Sequence, residues 1–482
     1  MPKVILPIAN GFYTSKSLPI SAQECINWYP NINEVPALNQ ETLFGTPGLI
    51  ELDSSGTVLN ENRGAHEMAG IPYFVNGGVL YKLTEAVVVG VATYTLVNIG
   101  AISGTARVSM ADNGTQLLVL VPGGDGYIYN HVTNVLVTIT DGDFDANGDP
   151  QFVVFIDSYF VCTTDTKKFI CSAPNDGTSW NALDYGTAES DPDEIVAPVV
   201  FKNQLFISGS HTIEAFQNIG GTDFPFQRTG LFLQKGVYAP YSLINVQDSF
   251  MFIGGGENES PAIWGLSGNS TAKVSTIAID SILHDLTESE VSGIFAWTYA
   301  QDGAYFVGFT LPNTTLVFDM TTKRWHERRS VVQGESTKFR VSSMTQAYNK
   351  VLCGDTVDGR IGQLDITIYS EYGENIIRRV ATQPFQSNMN AILVPSIELT
   401  VESGVGNDDV INPAMTMERS SDGKTWSDPR SRSIGKIGDY KRRAIWRRNG
   451  RVGRFELFRF TLSDQVKPVI IQLTADIMSA DK

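Results

Sequence analysis

The chain has 482 residues, 42% hydrophobic and 18% charged, and its 36 Lys+Arg against 52 Asp+Glu give a formal net charge of −16. This is the composition of a folded protein with a sizeable core, longer than one ordinary domain unless that domain is a large all-β repeat. The start MPKVILPIANGF lacks a basic segment followed by an apolar one, and no apolar run approaches the length of a bilayer span, so neither a signal peptide nor a membrane-inserted helix is expected.

Residues 1–63 read as an extended arm. CINWYPNINE and LFGTPGL are rich in Pro and Asn, and Trp28, Tyr29, Leu43 and Phe44 are isolated anchors without a period. Such an arm should lie along other surfaces.

From Gly64 to Asp365 one pattern recurs: an apolar run, a tight polar turn, a second apolar run, a Gly/Asp-rich loop and a third short run. The turns fall at Gly70, Asn113, Asp157, Asn203, Asp248, Asp302 and Asn349, at intervals of 43, 44, 46, 45, 54 and 47 residues. Asn, Asp and Gly tolerate the positive φ of short hairpin turns. The flanking runs are β-branched and aromatic and too short for helices. Three or four strands every 45 residues or so mark a β-propeller blade, and even spacing argues against an irregular sandwich. The expectation is an all-β chain with a propeller of six or seven blades over residues 64–381.

Within the repeats, Asp143, Asp145 and Asn147 followed by Gly148 match the first half of a calcium loop, but its twelfth position is Val154, where a bidentate Glu is needed. The better reading is a surface loop. No cofactor is expected. Cys25, Cys162, Cys171 and Cys353 lack metal-site spacing and are expected as buried free thiols, although Cys162 and Cys171 could meet across a hairpin.

The blade rhythm stops near Thr382. Ile397, Leu399 and Val401 alternate with Glu398, Thr400 and Glu402, Met415 and Met417 repeat the alternation, and VIIQLTADI reads as a buried strand. Residues 382–482 are expected as a β-sandwich, with the arm packing on it. SSDGKTW (Ser420–Trp426) resembles a shortened Asp-box turn, which is structural.

Enzyme motifs are missing. HEMAG lacks the second His of a zinc protease, no Gly-x-Ser-x-Gly occurs, and GKT at Gly423–Thr425 has Glu418 where a phosphate loop needs Gly. Asp191, Asp193, Glu194, Glu257 and Glu259 supply acids, but nothing singles out the carboxylate pair of a glycosidase. The chain is expected not to be an enzyme.

From Arg430 to Arg459 stand eleven basic residues and two acidic ones, a local +9 that leaves −25 for the rest. Three explanations compete. Direct DNA contact would grip phosphates with steep salt dependence. A protein interface would use Lys441, Arg442, Arg443, Trp446, Arg447, Arg448, Arg451 and Arg454 against an acidic neighbour. The third is that the charges decorate a strand; RFELFRF supports a strand but does not account for Lys441–Arg443 and Arg447–Arg448. We favour the interface.

Several stretches in order carry a resemblance: TPGL (Thr46–Leu49), ARVSMA (Ala106–Ala111), GTAESDPDEI (Gly186–Ile195), GSHTIEAF (Gly209–Phe216), LQKGV (Leu233–Val237), IDSILHDLTESE (Ile279–Glu290), CGD (Cys353–Asp355) and RRAIWRRNGRVGRFELFRF (Arg442–Phe460). Together they resemble the packaged-DNA stabilisation proteins of short-tailed bacteriophages, also called tail hub or nozzle proteins. The resemblance implies a propeller joined to a platform sandwich and a six-fold ring of copies below the portal and its adaptor protein. It further implies a place in the virion tail after assembly in the host cytoplasm. Tail fibres or spikes and a needle or plug are the implied partners, with packaged DNA passing through the lumen without sequence-specific binding. The acidic remainder suits such a lumen, because it repels DNA and keeps it moving. The alternative from another class is a propeller that binds or cleaves glycans.

Overall fold

The computed structural model describes residues 3–56, 60–188, 194–221, 224–388 and 390–480. Among the described residues seven antiparallel blades follow the repeats, the first four as separate four-stranded sheets and the last two within larger sheets. Their inner strands, Asn62–Met68, Ser109–Asp112, Pro150–Ile156, Ile195–Phe201, Ile244–Val246, Phe295–Gln301 and Val341–Ala347, touch one after another until the seventh meets the first. The ring is therefore a seven-bladed propeller.

The expected turns are present. Ala69-Gly70, Asp157-Ser158, Lys202-Asn203, Asp302-Gly303 and Tyr348-Asn349 each hold two residues at positive φ, the geometry that matches strand twist in a two-residue hairpin. The long interval before Asp302 has its own cause: two helices, α1 (Ile277–His284) and α2 (Glu288–Ser292), separate blades 5 and 6. A capping box between Thr287 and Glu290 starts α2.

Each blade is apolar on both faces, so adjacent blades bury a cluster between them. Tyr73, Val75 and Leu80 of blade 1 meet Leu117, Val119 and Tyr129 of blade 2, and Phe169 and Cys171 of blade 3 meet Leu205, Ile207 and Phe216 of blade 4. All four cysteines are buried and free.

Blade 7 takes only three strands from its own stretch. Its fourth is Gly48–Ser54, paired antiparallel with Arg360–Asp365. This N-terminal strand seals the ring, and its Leu49 is buried. Across the seam, Ser342 donates to the Asn62 carbonyl at 2.7 Å and Asn76 to that of Gly359 at 3.1 Å. Gly354 has to be glycine, because a Cβ there would stand 2.2 Å from the Asn62 side chain.

The N-terminal residues also build the platform. Trp28–Ile32, Glu41–Gly45 and Lys3–Leu6 join the sheet of Ile392–Val401, Ala444–Arg447 and Val469–Ser479. The opposing sheet, Arg378–Ala381, Phe455–Leu462, Ala414–Ser420 and Arg430–Ser433, continues through Cys25–Ile26 into Arg324–Val332, the outermost strand of blade 6. Ile397, Leu399, Met415, Met417, Phe458 and Phe460 fill the sandwich, as the alternation requires.

Where the two units meet, charge is buried. Arg328 donates to the Pro47 carbonyl at 2.9 Å and lies 3.7 Å from the Phe339 ring, while Arg378 reaches the Thr46 carbonyl at 3.4 Å. Burial pushes the Glu371 carboxyl up, against the pull of Arg328 and Arg340. The turn between platform and ring-closing strand is thus held by two arginines that have no access to water.

Truncating a buried leucine costs about 2–5 kcal/mol. Leu49→Ala should lower the urea midpoint accordingly, whereas Leu183→Ala, on the exposed face of blade 3, should change stability by no more than about 0.5 kcal/mol. Burial, reinforced by Arg328, pushes His326 from 6.5 down to about 3, so it folds neutral between Tyr29 and Phe306. The unfolded chain binds a proton there below 6.5, so this contribution is full above that pH and is lost towards 3, at up to about 1.4 kcal/mol per unit. His326→Phe should flatten that part of the acid slope in urea unfolding series.

Candidate functional site

The basic block occupies the far edge of the platform. Ala444–Arg447 is the last strand of its sheet, at the opposite end from Trp28–Ile32, and Arg430–Ser433 is the last strand of the other sheet. The two edges are tied together. Arg432 donates to the Ile445 carbonyl at 2.9 Å, Trp446 Nε1 to that of Arg430 at 2.5 Å, and Arg430 to that of Arg447.

The structure divides the predicted interface residues. Trp446 leaves the set: its side chain is completely buried and packs on Phe460 at 5.5 Å, because its strand turns it into the sandwich core. Arg443 is already paired, donating twice to Glu398 at 2.6 Å. That pairing, with help from Lys3, holds the Glu398 carboxyl down at about 2 against its partial burial. Arg459 is likewise taken up, by Glu418 at 2.8 Å and by the Trp426 ring at 4.0 Å. The remaining six, Lys441, Arg442, Arg447, Arg448, Arg451 and Arg454, are exposed and form no ion pair with any described residue.

The half calcium loop is occupied by other chemistry. Asn147 is buried, donates to the Ala182 carbonyl at 2.9 Å, and its side-chain oxygen accepts from the Lys168 ammonium at 2.9 Å. A cationic side chain already sits where calcium would need an oxygen. Asp143 and Asp145 remain on the surface around Phe144, which packs on Trp180 at 4.8 Å. Among the described residues, no group of three His, Cys, Asp or Glu is placed to hold a metal.

Sequence reasoning missed the seal on the propeller axis. Arg63 donates to the carbonyls of Ala106, Gly77 and Ser103 and so shapes the loop before blade 2. Arg107 then reaches Ser342 of blade 7 at 2.8 and 3.0 Å, and its guanidinium lies 4.0 Å from the Phe295 ring of blade 6. Tyr241, ahead of blade 5, donates to the Arg107 carbonyl at 2.6 Å and stacks edgewise on Phe152 of blade 3. Blades 5, 6 and 7 thus meet one guanidinium carried by blade 2, which crosses the axis at the N-terminal end of the inner strands. The only signal was a charged residue directly ahead of an apolar inner strand. Beyond the seal, a cavity of about 600 Å³ runs along the inner strands, with the His66–Asp112 pair at 2.7 Å on its wall.

A second cavity, about 790 Å³, lies beside α1 and α2 and contains His211, Glu259, His284 and Glu288. Lys235 and the Gly256 amide hold Glu259 below the usual carboxylate range, the opposite of what a general acid requires. Asp191 and Asp193 lie outside the described residues.

The family described as Bacteriophage P22 Gp10, beta-propeller, matches residues 4–369, and the one described as Bacteriophage P22 Gp10, beta-sandwich, matches residues 378–478. The chain belongs to the phage P22 Gp10 family. A curated relative, the tail hub protein gp10 of Salmonella phage P22, is 23% identical over 401 residues, which is 80% of this chain and 81% of that protein. Two solved structures are more distant. The WD40 propeller domain of Doa1 has a TM-score of 0.40 at 10% identity, covering 66% of this chain and 97% of its own. The designed Ika8 protein has a TM-score of 0.37 at 13% identity, covering 65% and 99%. The sandwich match falls on the C-terminal strands of the platform, while the propeller match also takes in the N-terminal strands that join the platform sheet.

Trp446→Ala should cost about 3–5 kcal/mol of stability in denaturant unfolding, whereas Arg447→Ala should stay within about 0.5 kcal/mol. Glu398→Gln should lower stability at neutral pH by about 1 kcal/mol or less, given the exposure of Arg443. Because the folded carboxyl is depressed, this contribution is present above 4.5 and is lost as pH falls towards 2, so the two proteins should converge in acid.

Proposed function

We propose that this chain is a structural, non-catalytic tail hub component of a short-tailed phage, located in the virion tail, where it prolongs the DNA channel below the portal and its adaptor. Copies form a six-fold ring that stabilises the packaged DNA and carries fibres or spikes and a needle or plug. Residues 64–381 work as propeller and 382–482 as platform, with the arm 1–63 packing on the platform and lending the ring its closing strand. Family membership over both halves is the observation that carries this reading. The sealed propeller axis supports it further: with Arg107 across the axis the lumen has to run between copies, and each propeller serves as wall. The net acidity outside the basic block favours a lumen that does not grip DNA. The six unpaired cations of the platform edge are the assembly surface, because such charges gain most from an acidic protein neighbour.

The test is complementation. Phage lacking the gene should release their DNA and form no infectious particles. The wild-type chain should restore both functions and be found at the tail by electron microscopy, while R442E/R447E/R448E should reduce incorporation at least about tenfold, as loss of several charge pairs predicts. A chain that never enters particles, or that releases sugars from host polysaccharide, would overturn the proposal.

A further inference from the structure

The platform edge fits one partner on this same molecule. Residues 125–184, which run from the third strand of blade 2 into the last strand of blade 3, contain nine aspartates and only two lysines. Asp125, Asp141, Asp143, Asp145, Asp149 and Asp165 all lie in turns or loops at the N-terminal end of the inner strands, and none forms an ion pair with a described residue. Asp141 and Asp165 accept only backbone amides, and Asp125 is bonded only to hydroxyl groups.

The two charged surfaces cannot meet within one chain. The platform attaches at the rim where blade 6 continues into its sheet and blade 7 accepts Gly48–Ser54. In a ring of seven, blade 3 stands directly across from that junction, and the basic strand is the platform edge farthest from it. The chain therefore carries unneutralised positive charge at one end and unneutralised negative charge at the other.

Resting on the hub reading, we propose that the basic platform edge of one copy docks on the aspartate-rich loops of blades 2 and 3 of the next. The contact is heterologous, head to tail, so it propagates from copy to copy and closes into a ring when the rotation permits. Arg facing carboxylates gives bidentate, charge-assisted bonds, and Lys single ones, at surfaces that have no ion pair with any described residue of their own chain. The loop with the half calcium pattern thereby acquires a role: its acids await a partner's arginines rather than a metal.

Sedimentation velocity on the full chain tests this, with R442E/R447E/R448E and D143K/D145K/D149K as the two reversals, all at exposed side chains without ion pairs. The wild-type chain should associate at low salt and weaken at least about tenfold in roughly 1 M NaCl, where the screening length is about 3 Å. Each reversed chain should lose association, and an equimolar mixture of the two, or one chain bearing all six changes, should regain it. A wild-type chain that stays monomeric at low salt, reversed chains that associate normally, or a mixture that does not recover would each overturn the contact. If a reversed chain melts early, the salt series on the wild type decides, and association indifferent to salt sinks the idea. Reversed chains that associate normally yet fail to join particles would leave the hub reading intact while removing this interface.

Discussion

The structure depends on the strand Gly48–Ser54 and the turn before it. A propeller is a circle of sheets with no inherent stopping point, and its stability rests on joining the last blade to the first. Here the closing strand comes from the segment that has just built part of the platform, and Arg328 and Arg378 hold the turn between by its backbone carbonyls. Breaking either side of such a buried arrangement leaves charge without water, at a cost of several kcal/mol. Ring and platform are thereby coupled: the propeller cannot open at blade 7 without disturbing the sandwich.

That coupling suits a wall. The blades bury apolar clusters against their neighbours, a shared sheet carries blade 6 into the platform, and Arg107 closes the axis that would otherwise be the natural hole in the disc. What remains reactive is at the surface and is electrostatic, with cations on the outer platform edge and aspartates across the ring. Long-range charge of this kind directs encounter and register more than it adds affinity.

Much of this was legible in the sequence, because propellers are written in local signals. The Asn, Asp and Gly turns at near-constant intervals, and the alternation at Ile397, Leu399, Met415 and Met417, follow from hairpin geometry and two-residue periodicity. The choice between six and seven blades was not legible, since it turns on where residues 48–54 pair, more than 300 positions from their partners. The helices could have been found: a 54-residue interval and the Thr287–Glu290 capping box both mark them. Trp446 illustrates the opposite error. An aromatic among arginines resembles an interface, but a strand places alternate residues on opposite faces, and this one faces inward. Arg107, Arg328 and Arg378 were invisible as a group because each donates to a backbone carbonyl far away in the sequence, which no local pattern marks.

Native-state hydrogen exchange followed by mass spectrometry measures the coupling most directly, because it reads the opening free energy of each segment separately. The account predicts that Gly48–Ser54, its partner Arg360–Asp365 and the platform strand Val469–Ser479 exchange in one concerted opening with a common free energy. Blade 7 exchanging through a separate, cheaper opening while the platform strand stays protected would contradict it.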